Sequence, residues 1–483
     1  MTRAELAIAI IALSAVLGHD AAEGSPVVPL DDPVYLELAR LYALGELPPY
    51  LGGIRPLTDD RVRELLEPDR PAPSSWWVRP LSRALVAVSA SRGEPRPYST
   101  AARPRNIAGS IAIACERAYE RSCERGAELA AELDVDAGYG AWLSATLRGR
   151  ATTSTAAVDR AVIAAELSGI RIALGRDAFV LGPGARTQLM WSSHAPPVDG
   201  VRIQTSRPLA LADDRLHGSA LYAIVKPRAP QTSDSLVSVA RLQLDLLGAV
   251  ELGASQILQL GVPGAPGDVP GFILEHVRRR DASASATDSS NRRVSLDVAA
   301  SIRGARIYYE LAFEDLRRQL WSATRFDADH LLGIEHAALG PGGRYGLIVE
   351  LQRTGARSHE HAIRTTGMTS EGRVLGSPLG PGASSVFVGG WLRRGPLRIQ
   401  PWLELASLSS DTYVFPQGQE ISLAQRGPSE RRARVGVTLA VDLRPDLRAD
   451  CEVGGEWIAG RAFDPGAREL AAAFVTRLVY YPR

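Results

Sequence analysis

The sequence predicts a mainly β protein, a large antiparallel transmembrane β-barrel of about 18 strands preceded by an N-terminal periplasmic α-helical domain. Three observations predict it. Apolar residues have helical spacing before residue 130, they alternate with polar residues after it, and short turns then alternate with long polar links. Because only alternate residues of a barrel strand face lipid, a hydrophobic content of 45% is compatible with a membrane protein.

The N-terminus has the features of a signal peptide in their usual order. Arg3 precedes an apolar run from Leu6 to Leu17 that is too short to span a bilayer, and the small residues of Ala22-Glu23-Gly24 follow. We expect residues 1–24 to be a signal peptide, the alternative being a buried N-terminal helix. The sequence has no later apolar stretch of transmembrane length, so the exported chain is either soluble or a barrel.

Residues 25–130 are expected to form the helical domain in the periplasm. Asp31-Asp32-Pro33 provides an N-cap region for a first helix, and Asp59 and Asp60 lie in the first turn of a second. The predicted helices run from Val34 to Tyr42, from Thr58 to Leu66, around Leu81 to Val88, and within Ala108 to Ala130.

Residues 131–483 are expected to form the barrel, and a hairpin over residues 293–313 is the clearest indication. Alternate residues from Val294 to Ile302 are apolar, and polar residues such as Asp297 lie between them. The same alternation resumes from Ile307 to Phe313 after a turn at Arg303-Gly304. Strands of about ten residues with one apolar and one charged face are typical of membrane barrels.

The strand number follows from the length of this region. Roughly 350 residues, at about twenty per strand and connection, give on the order of eighteen strands. A soluble β-sandwich is the alternative, but its strands usually have about five or six residues. Short turns such as Arg444-Pro445-Asp446 and long links such as residues 281–292 are the asymmetry expected of an outer-membrane barrel.

Composition and motifs argue against several function classes. A net charge of +1 is too small for bulk nucleic-acid binding. The sequence carries no G-x-S-x-G, P-loop, H-E-x-x-H or C-x-x-C motif, and no cofactor or metal is expected. His359-Glu360-His361 is interpreted as part of a polar loop, with a metal site as the weaker alternative. Cys115 and Cys123 either pair after export or remain free thiols.

The predicted inner faces of the strands carry many charges, among them Asp297, Arg306, Glu310, Arg344, Glu350 and Arg398. One interpretation is that opposite charges pair across strands and stiffen the lumen wall. The other is that they bind sugar hydroxyls and uronic acids, or select ions in a pore. The sequence leaves both open, although pairing is the simpler explanation for most of them.

Five segments, in order, resemble the Wzi family of capsule assembly proteins. They are SPVVPLDDPVYLELARLYALGEL (Ser25 to Leu47), RPLTDDRVRELLE (Arg55 to Glu67), LGRDAFVLGPGARTQLMWSSHAPPVDGVRIQTSRPL (Leu174 to Leu209), IYYELAFED (Ile307 to Asp315) and GRVLGSPLGPGASS (Gly372 to Ser385). The chain departs from the family pattern at Val180-Leu181, where an aromatic pair is usual, and at Ser192-Ser193-His194, where the family loop is rich in asparagine.

The resemblance implies an outer-membrane lectin that helps to anchor or assemble capsular or extracellular polysaccharide, without catalysis. It implies a monomer in contact with the polysaccharide, outer-membrane lipid and polysaccharide export machinery, and no nucleic acid. A porin-like channel and a secreted polysaccharide-active enzyme are the alternatives. The candidate ligand-binding residues, facing the lumen or the loops, are Arg186, His194, Asp297, Arg306, Glu310, Asp315, Arg344, Glu350 and Arg398.

Overall fold

The computed structural model describes residue 30 and residues 34–43, 53–66, 103–113, 128–139, 142–152, 156–167, 169–212, 216–228, 236–259, 291–302, 304–314, 324–340, 344–360, 367–414, 421–444 and 447–480. The expected signal peptide, the predicted helix from Leu81 to Val88, and Cys115 and Cys123 lie outside these residues.

Among the described residues, eighteen antiparallel strands form a closed barrel, in which each strand pairs with its neighbours in the chain and the last pairs with the first. This confirms the predicted transmembrane barrel. The strands are β1 Arg103–Ile113, β2 Glu128–Tyr139, β3 Leu143–Thr152, β4 Ala156–Leu167, β5 Ile170–Asp177, β6 Val198–Thr205 (extended by Leu209–Ala212), β7 Leu216–Lys226, β8 Val237–Leu246, β9 Val250–Gln259, β10 Asn291–Ile302, β11 Ala305–Glu314, β12 Asp329–Leu339, β13 Tyr345–Arg353, β14 Ala383–Arg394, β15 Leu397–Ser409, β16 Ser429–Arg444, β17 Leu447–Ala459 and β18 Arg468–Tyr480.

The two ends of the barrel differ in the length of their connections. Turns as short as Leu247-Gly248-Ala249 and Gly395-Pro396 join strands at one end, where β18 also finishes at Tyr480. At the other end the links include residues 178–197, 260–290 and 354–382. We call these the short-turn end and the long-loop end, which in outer-membrane barrels face the periplasm and the cell exterior.

The outer surface of the barrel is apolar. In the predicted hairpin, Leu296 is 58% exposed, whereas its neighbour Ser295 is fully buried on the inner face. Leu174, Leu242, Leu405 and Val435 show that the same exposure continues around the barrel. Exposed aliphatic side chains on every part of a closed barrel wall are stable only against lipid. No helix among the described residues is long and apolar enough to cross a membrane.

The described residues include two of the predicted helices, whereas the periplasmic helical domain as a whole stays a prediction. Helix α1 spans Val34–Ala43 and contacts β10 and β12, and its Leu36 packs on Trp391 near the short-turn end. Helix α2 spans Asp59–Leu66, and the Thr58 hydroxyl accepts a hydrogen bond from the Arg61 amide as its N-cap. Helix α1 therefore lies against the inner wall of the barrel, near its short-turn end.

The predicted fourth helix, within Ala108 to Ala130, is wrong at both ends. Residues 103–113 are β1, and residues from Glu128 onward are β2. Alanine, glutamate and arginine favour a helix locally, but β1 pairs with both β18 and β2 and thereby closes the barrel. Tertiary pairing outweighs local propensity, so the barrel begins at Arg103 and not at residue 131.

An apolar core lies inside the barrel. Strands β7 and β8 direct Leu221, Ala223, Val237 and Val239 inward, where they pack with residues of the links from the long-loop end. We call residues 178–197 the first inward segment and the described residues 354–360 and 367–382 the second. The first contributes Phe179, Leu181, Leu189, Met190 and Trp191, and the second contributes Met368 and Leu375. The lumen is thus packed like a protein interior where these segments cross it.

Candidate binding site on the inward segments

The first inward segment folds back on itself within the lumen. The Leu181 amide donates to the Trp191 carbonyl at 2.9 Å, and the Phe179 and Trp191 rings stack at 4.5 Å between centroids. Leu181 also pairs with Ile54, so the N-terminal residues and this segment meet in a two-stranded sheet. Gly184 permits the tight turn between Leu181 and Trp191, since a Cβ there would lie 1.7 Å from the Thr187 carbonyl oxygen.

Glu350 fixes the turn that follows Gly184. Its carboxylate accepts hydrogen bonds from the amides of Ala185, Arg186 and Thr187 at 2.8, 2.9 and 3.2 Å. The Tyr308 hydroxyl donates to the same carboxylate at 2.6 Å. Successive amides that converge on one anion form a strong anion-binding turn, and here the anion is a side chain of the barrel wall.

Other wall charges bind the backbone of the same segment. Glu310 accepts a hydrogen bond from the Leu189 amide at 3.1 Å, and Arg306 donates to the Pro183 carbonyl at 2.7 Å. Arg293 donates to the Leu189 carbonyl at 3.3 Å. These backbone groups are far from solvent, so the wall residues supply the partners that water would otherwise provide.

The second inward segment is held by the Arg293 cluster, formed by Arg293, Glu314 and Asp329. Arg293 pairs with both carboxylates, and each of the three side chains is at most 2% exposed. Glu314 accepts from the His359 amide at 2.6 Å, and Asp329 accepts from the Gly355 amide, also at 2.6 Å. One buried cation and its two partners therefore anchor this link at its start.

His359 joins the two inward segments. Its Nε2–H donates to the Leu189 carbonyl at 3.0 Å, which places the proton on Nε2. Burial, and secondarily the Arg293 charge, hold the pKa of the imidazole well below its usual value, whereas the bond to Leu189 acts in the opposite direction. The neutral ring fits against Gly376, where a Cβ would lie 2.2 Å from Nε2.

A cleft lies between the inward segments and the wall formed by β13, β14 and β15. It has a volume of about 430 Å³, counting space open to solvent. The lining residues are Arg186, Thr187, Ser192, Ser193, His194, Glu350, Gln352, Pro378, Leu379, Ser385, Phe387 and Glu404. Gln352 and Ser385 lie within two residues of the long-loop ends of β13 and β14, so the cleft belongs to the outer half of the barrel.

The cleft combines an aromatic ring with hydrogen-bonding groups. The Arg186 guanidinium lies 5.5 Å from the centre of the Phe387 ring. Ser192 is fixed, because its hydroxyl donates to the Gly376 carbonyl at 2.5 Å, whereas Ser193 is exposed. Serine, histidine, glutamine and arginine offer donors and acceptors at several angles, as a sugar with many hydroxyl groups requires.

The structure brings together three of the nine predicted site residues, Arg186, His194 and Glu350. Arg306 and Glu310 bind the first inward segment, and Asp297 accepts two hydrogen bonds from Arg241 at 2.8 and 3.0 Å. Arg344 is exposed beside the start of β13, and Arg398 is half-buried at the start of β15, both at the short-turn end. Asp315 lies outside the described residues.

Phe387 and Gln352 of the cleft are not among the residues predicted from the sequence. Phe387 could have been found, because it interrupts the polar face of β14 between Ser385 and Gly389. Likewise, the stretch ALYAIV of β7, which is apolar on both faces, indicates the inner core. A strand that loses its alternation predicts that something other than water covers its inner face.

Comparisons with known proteins agree with this architecture. The family described as "Capsule assembly protein Wzi" matches residues 109–468. The Escherichia coli outer membrane protein Wzi, described as a carbohydrate-binding β-barrel involved in group 1 capsule assembly, is 16% identical with a TM-score of 0.70, covering 96% of this chain and 100% of that one. Pseudomonas aeruginosa OccD3 is 12% identical with a TM-score of 0.46, covering 81% of this chain and 95% of that one.

No sequence among the curated proteins matches the chain. The family match nevertheless covers about three quarters of its length, and the apolar outer wall is that of a membrane barrel. The chain belongs to the Wzi family of capsule assembly proteins and is an outer-membrane β-barrel.

Proposed function

We propose that this protein binds capsular or extracellular polysaccharide at the outer surface of the cell, without making or breaking bonds in the polymer. The observation that carries the proposal is the cleft on the inward segments, which lies in the outer half of the barrel. The description of the Escherichia coli relative as carbohydrate-binding supports the same assignment.

Arg186, His194 and Ser193 are the side chains that we assign to polymer binding. They lie on the first inward segment, whose backbone is fixed by Glu350 and Glu310, so they are presented by a rigid support. Phe387 offers a ring face against which the apolar face of a sugar can pack. Weak binding at repeated units of one polymer would retain it through multivalency.

The inward segments argue against a porin-like channel. Both cross the lumen, and their apolar residues pack with the inner face of β7 and β8. We expect no conductance steps when the purified protein is inserted in a planar bilayer. Steps of constant size in the unmodified protein would favour transport over binding.

A polysaccharide hydrolase is the remaining alternative, because two carboxylates in one cleft can hydrolyse a glycosidic bond. Glu350 and Glu404 both line the cleft. However, both oxygens of Glu350 accept backbone hydrogen bonds, and Glu404 lies 3.4 Å from Arg434. Neither is placed as a free acid or base, so we expect the polymer to keep its length after incubation with the protein.

A retention assay tests the proposal in cells. A deletion strain is complemented with the wild type, with R186A/H194A, or with E456Q as a matched control outside the cleft. We expect the double variant to release polysaccharide into the medium as the deletion strain does, while E456Q retains it. In this proposal the protein is a monomer, embedded in outer-membrane lipid, that receives polymer from the export machinery. Equal retention by all three proteins would contradict it.

A further inference from the structure

The outward faces of strands β13 to β18 carry charge only at their ends. Along these faces the described residues include no aspartate or glutamate, and the charged residues are Arg353, Arg394, Arg431 and Arg468. All four are exposed. The inward faces of the same strands carry Glu350, Glu404, Glu430, Glu452, Glu456 and Glu469, so the difference is one of face and not of composition.

Three of these arginines lie on one hydrogen-bonded row at the long-loop end. Strand register places Arg353, Ser384, Ser407, Arg431, Ala459 and Arg468 opposite one another in turn. We call this the arginine row. The adjacent outward row, toward the membrane, consists of Leu351, Val386, Leu405, Ala433, Trp457 and Leu470. On β13, β16 and β18 the outer surface thus changes from an apolar residue to arginine within one step along the strand.

The arginine row lies at the edge of the lipid. On β16 the outward residues from Leu443 to Ala433 are all apolar, and Arg431 follows. Ten residues at about 3.4 Å each, tilted by about 40°, cover roughly 26 Å of the membrane normal, which is the usual height of the apolar band. On β18 the outward residues from Tyr480 to Leu470, apolar except for Thr476, lead to Arg468 over the same ten steps along the strand. Trp457, 44% exposed, has the interfacial position that tryptophan favours.

The arginines of this row lack carboxylate partners among the described residues. Within that part of the chain, Arg353, Arg431 and Arg468 form no ion pair. By contrast, the outward Arg176 on β5 pairs with Asp199 at 2.8 Å. Arg353 binds instead the Arg325 carbonyl, and the Arg325 guanidinium lies 4.9 Å from the centre of the Phe326 ring. The Arg353 guanidinium therefore lies beside the Arg325 backbone at the membrane edge, and the neighbouring Phe326 ring is 5.8 Å from the Tyr413 ring.

We propose that the arginine row binds the phosphate groups of an anionic lipid in the outer leaflet. Guanidinium groups bind phosphate oxygens through two hydrogen bonds at once, and their charge is favoured at an anionic membrane surface. Arg353 and Arg431 are three strand spacings apart, about 14 Å, so the row has room for a headgroup that carries two phosphates. The serines between them add hydroxyl donors.

Lipid binding to the purified full-length protein tests this proposal. The probe is lipid A with two phosphates, added to detergent-solubilised barrel and counted by native mass spectrometry. The variants are R353Q/R431Q/R468Q and, as a matched control on the same outward face at the short-turn end, R394Q. We expect affinity to fall about fivefold for each arginine lost, whereas R394Q binds as the wild type does.

Two further measurements identify the group that the row binds and check that each variant is folded. Dephosphorylated lipid A should bind the wild type as weakly as bisphosphorylated lipid A binds the triple variant, and millimolar inorganic phosphate should not replace the lipid. Heat modification on gels confirms that each variant is a folded barrel. Wild-type affinity in the folded triple variant, an equal loss in R394Q, or unchanged binding of the dephosphorylated lipid would overturn the proposal.

Discussion

Two walls of the lumen each hold an arginine between two carboxylates, but in different surroundings. In the wall covered by the inward segments, Arg293 lies between Glu314 and Asp329, and the three side chains are at most 2% exposed. In the wall formed by β15 to β17, Arg434 lies between Glu404 and Glu456, and their side chains are 5 to 13% exposed. The same arrangement of charges is fully shielded from solvent in one wall and partly accessible to water in the other.

The difference lies in what each cluster holds. Carboxylates of the Arg293 cluster also bind backbone amides of the second inward segment, so the cluster connects the wall to the structure that crosses the lumen. The bonds from Arg434 to Glu404 and Glu456 connect neighbouring strands of the wall. Charge pairing therefore serves two purposes in this barrel, which are closure of the lumen and stiffening of the wall.

The largest effect is expected from removal of the buried cation. Arg293→Met leaves two carboxylates buried without their counter-charge, which costs about 3–5 kcal/mol of unfolding free energy. Arg434→Met, its counterpart in the other wall, leaves carboxylates that water can reach, and roughly 1–3 kcal/mol is expected. Urea unfolding in detergent, followed by the heat-modifiable band, measures both. Equal losses would mean that the two clusters are equally buried in solution.

Glu350→Gln is expected to loosen the first inward segment. The amide has one oxygen and no charge to offer three backbone N–H donors, so we expect a loss of roughly 1.5–3 kcal/mol in the anchoring of this turn. Intermittent conductance steps in planar bilayers should accompany it. Glu456→Gln removes a carboxylate that pairs with Arg434 across two wall strands, and its bilayer trace should match that of the wild type. Steps in both variants would show that wall pairing also closes the lumen.

Acidification should weaken the junction between the two inward segments. Because the pKa of His359 is lowered in the folded protein, the unfolded chain binds this proton first as the pH falls. The stability that neutral His359 contributes is complete above about pH 6.5 and is lost progressively below it. Unfolding midpoints at pH 7.5 and 5.0 should differ more for the wild type than for His359→Gln. The same difference in both proteins would assign the pH dependence to other groups.

The smallest effect is expected where the wall pairs reach water. Arg448 pairs with Asp450 at 2.7 Å, and their side chains are 15% and 23% exposed. Such pairs contribute little, because water and salt screen them, so Arg448→Ala should cost less than about 1 kcal/mol. Salt at 1 M should reduce this cost further without changing that of Arg293→Met. A large loss of unfolding free energy in Arg448→Ala would mean that this pair is as well shielded from water as the Arg293 cluster.

Much of the barrel was predictable because apolar and polar residues alternate along the strands of its wall. Lipid requires apolar residues on one face of every strand, so alternation from Val294 to Ile302 identified both the strand and its outward side. The helix at Val34–Ala43 was likewise predictable from its cap and its apolar face. Strand β1 was missed because its role depends on pairing with β18, more than 350 residues away in the chain, which local composition does not record.

The candidate site was predictable only in part. Alternation showed that Glu350, Glu310 and Arg306 face inward, but their partners are backbone groups of a link that returns through the lumen. No local pattern encodes the path of such a link. Arg186 and His194 were found through the family resemblance of their segment, and the fold is what brings them beside Phe387.

Sedimentation of the organism's own surface polysaccharide with proteoliposomes tests the central claim most directly. Liposomes carrying the wild type or E456Q should sediment the polymer, and liposomes carrying R186A/H194A should leave most of it in solution, although the variant remains a folded, heat-modifiable barrel. Equal sedimentation by R186A/H194A and the wild type, or none by either, would contradict a polysaccharide site in the cleft.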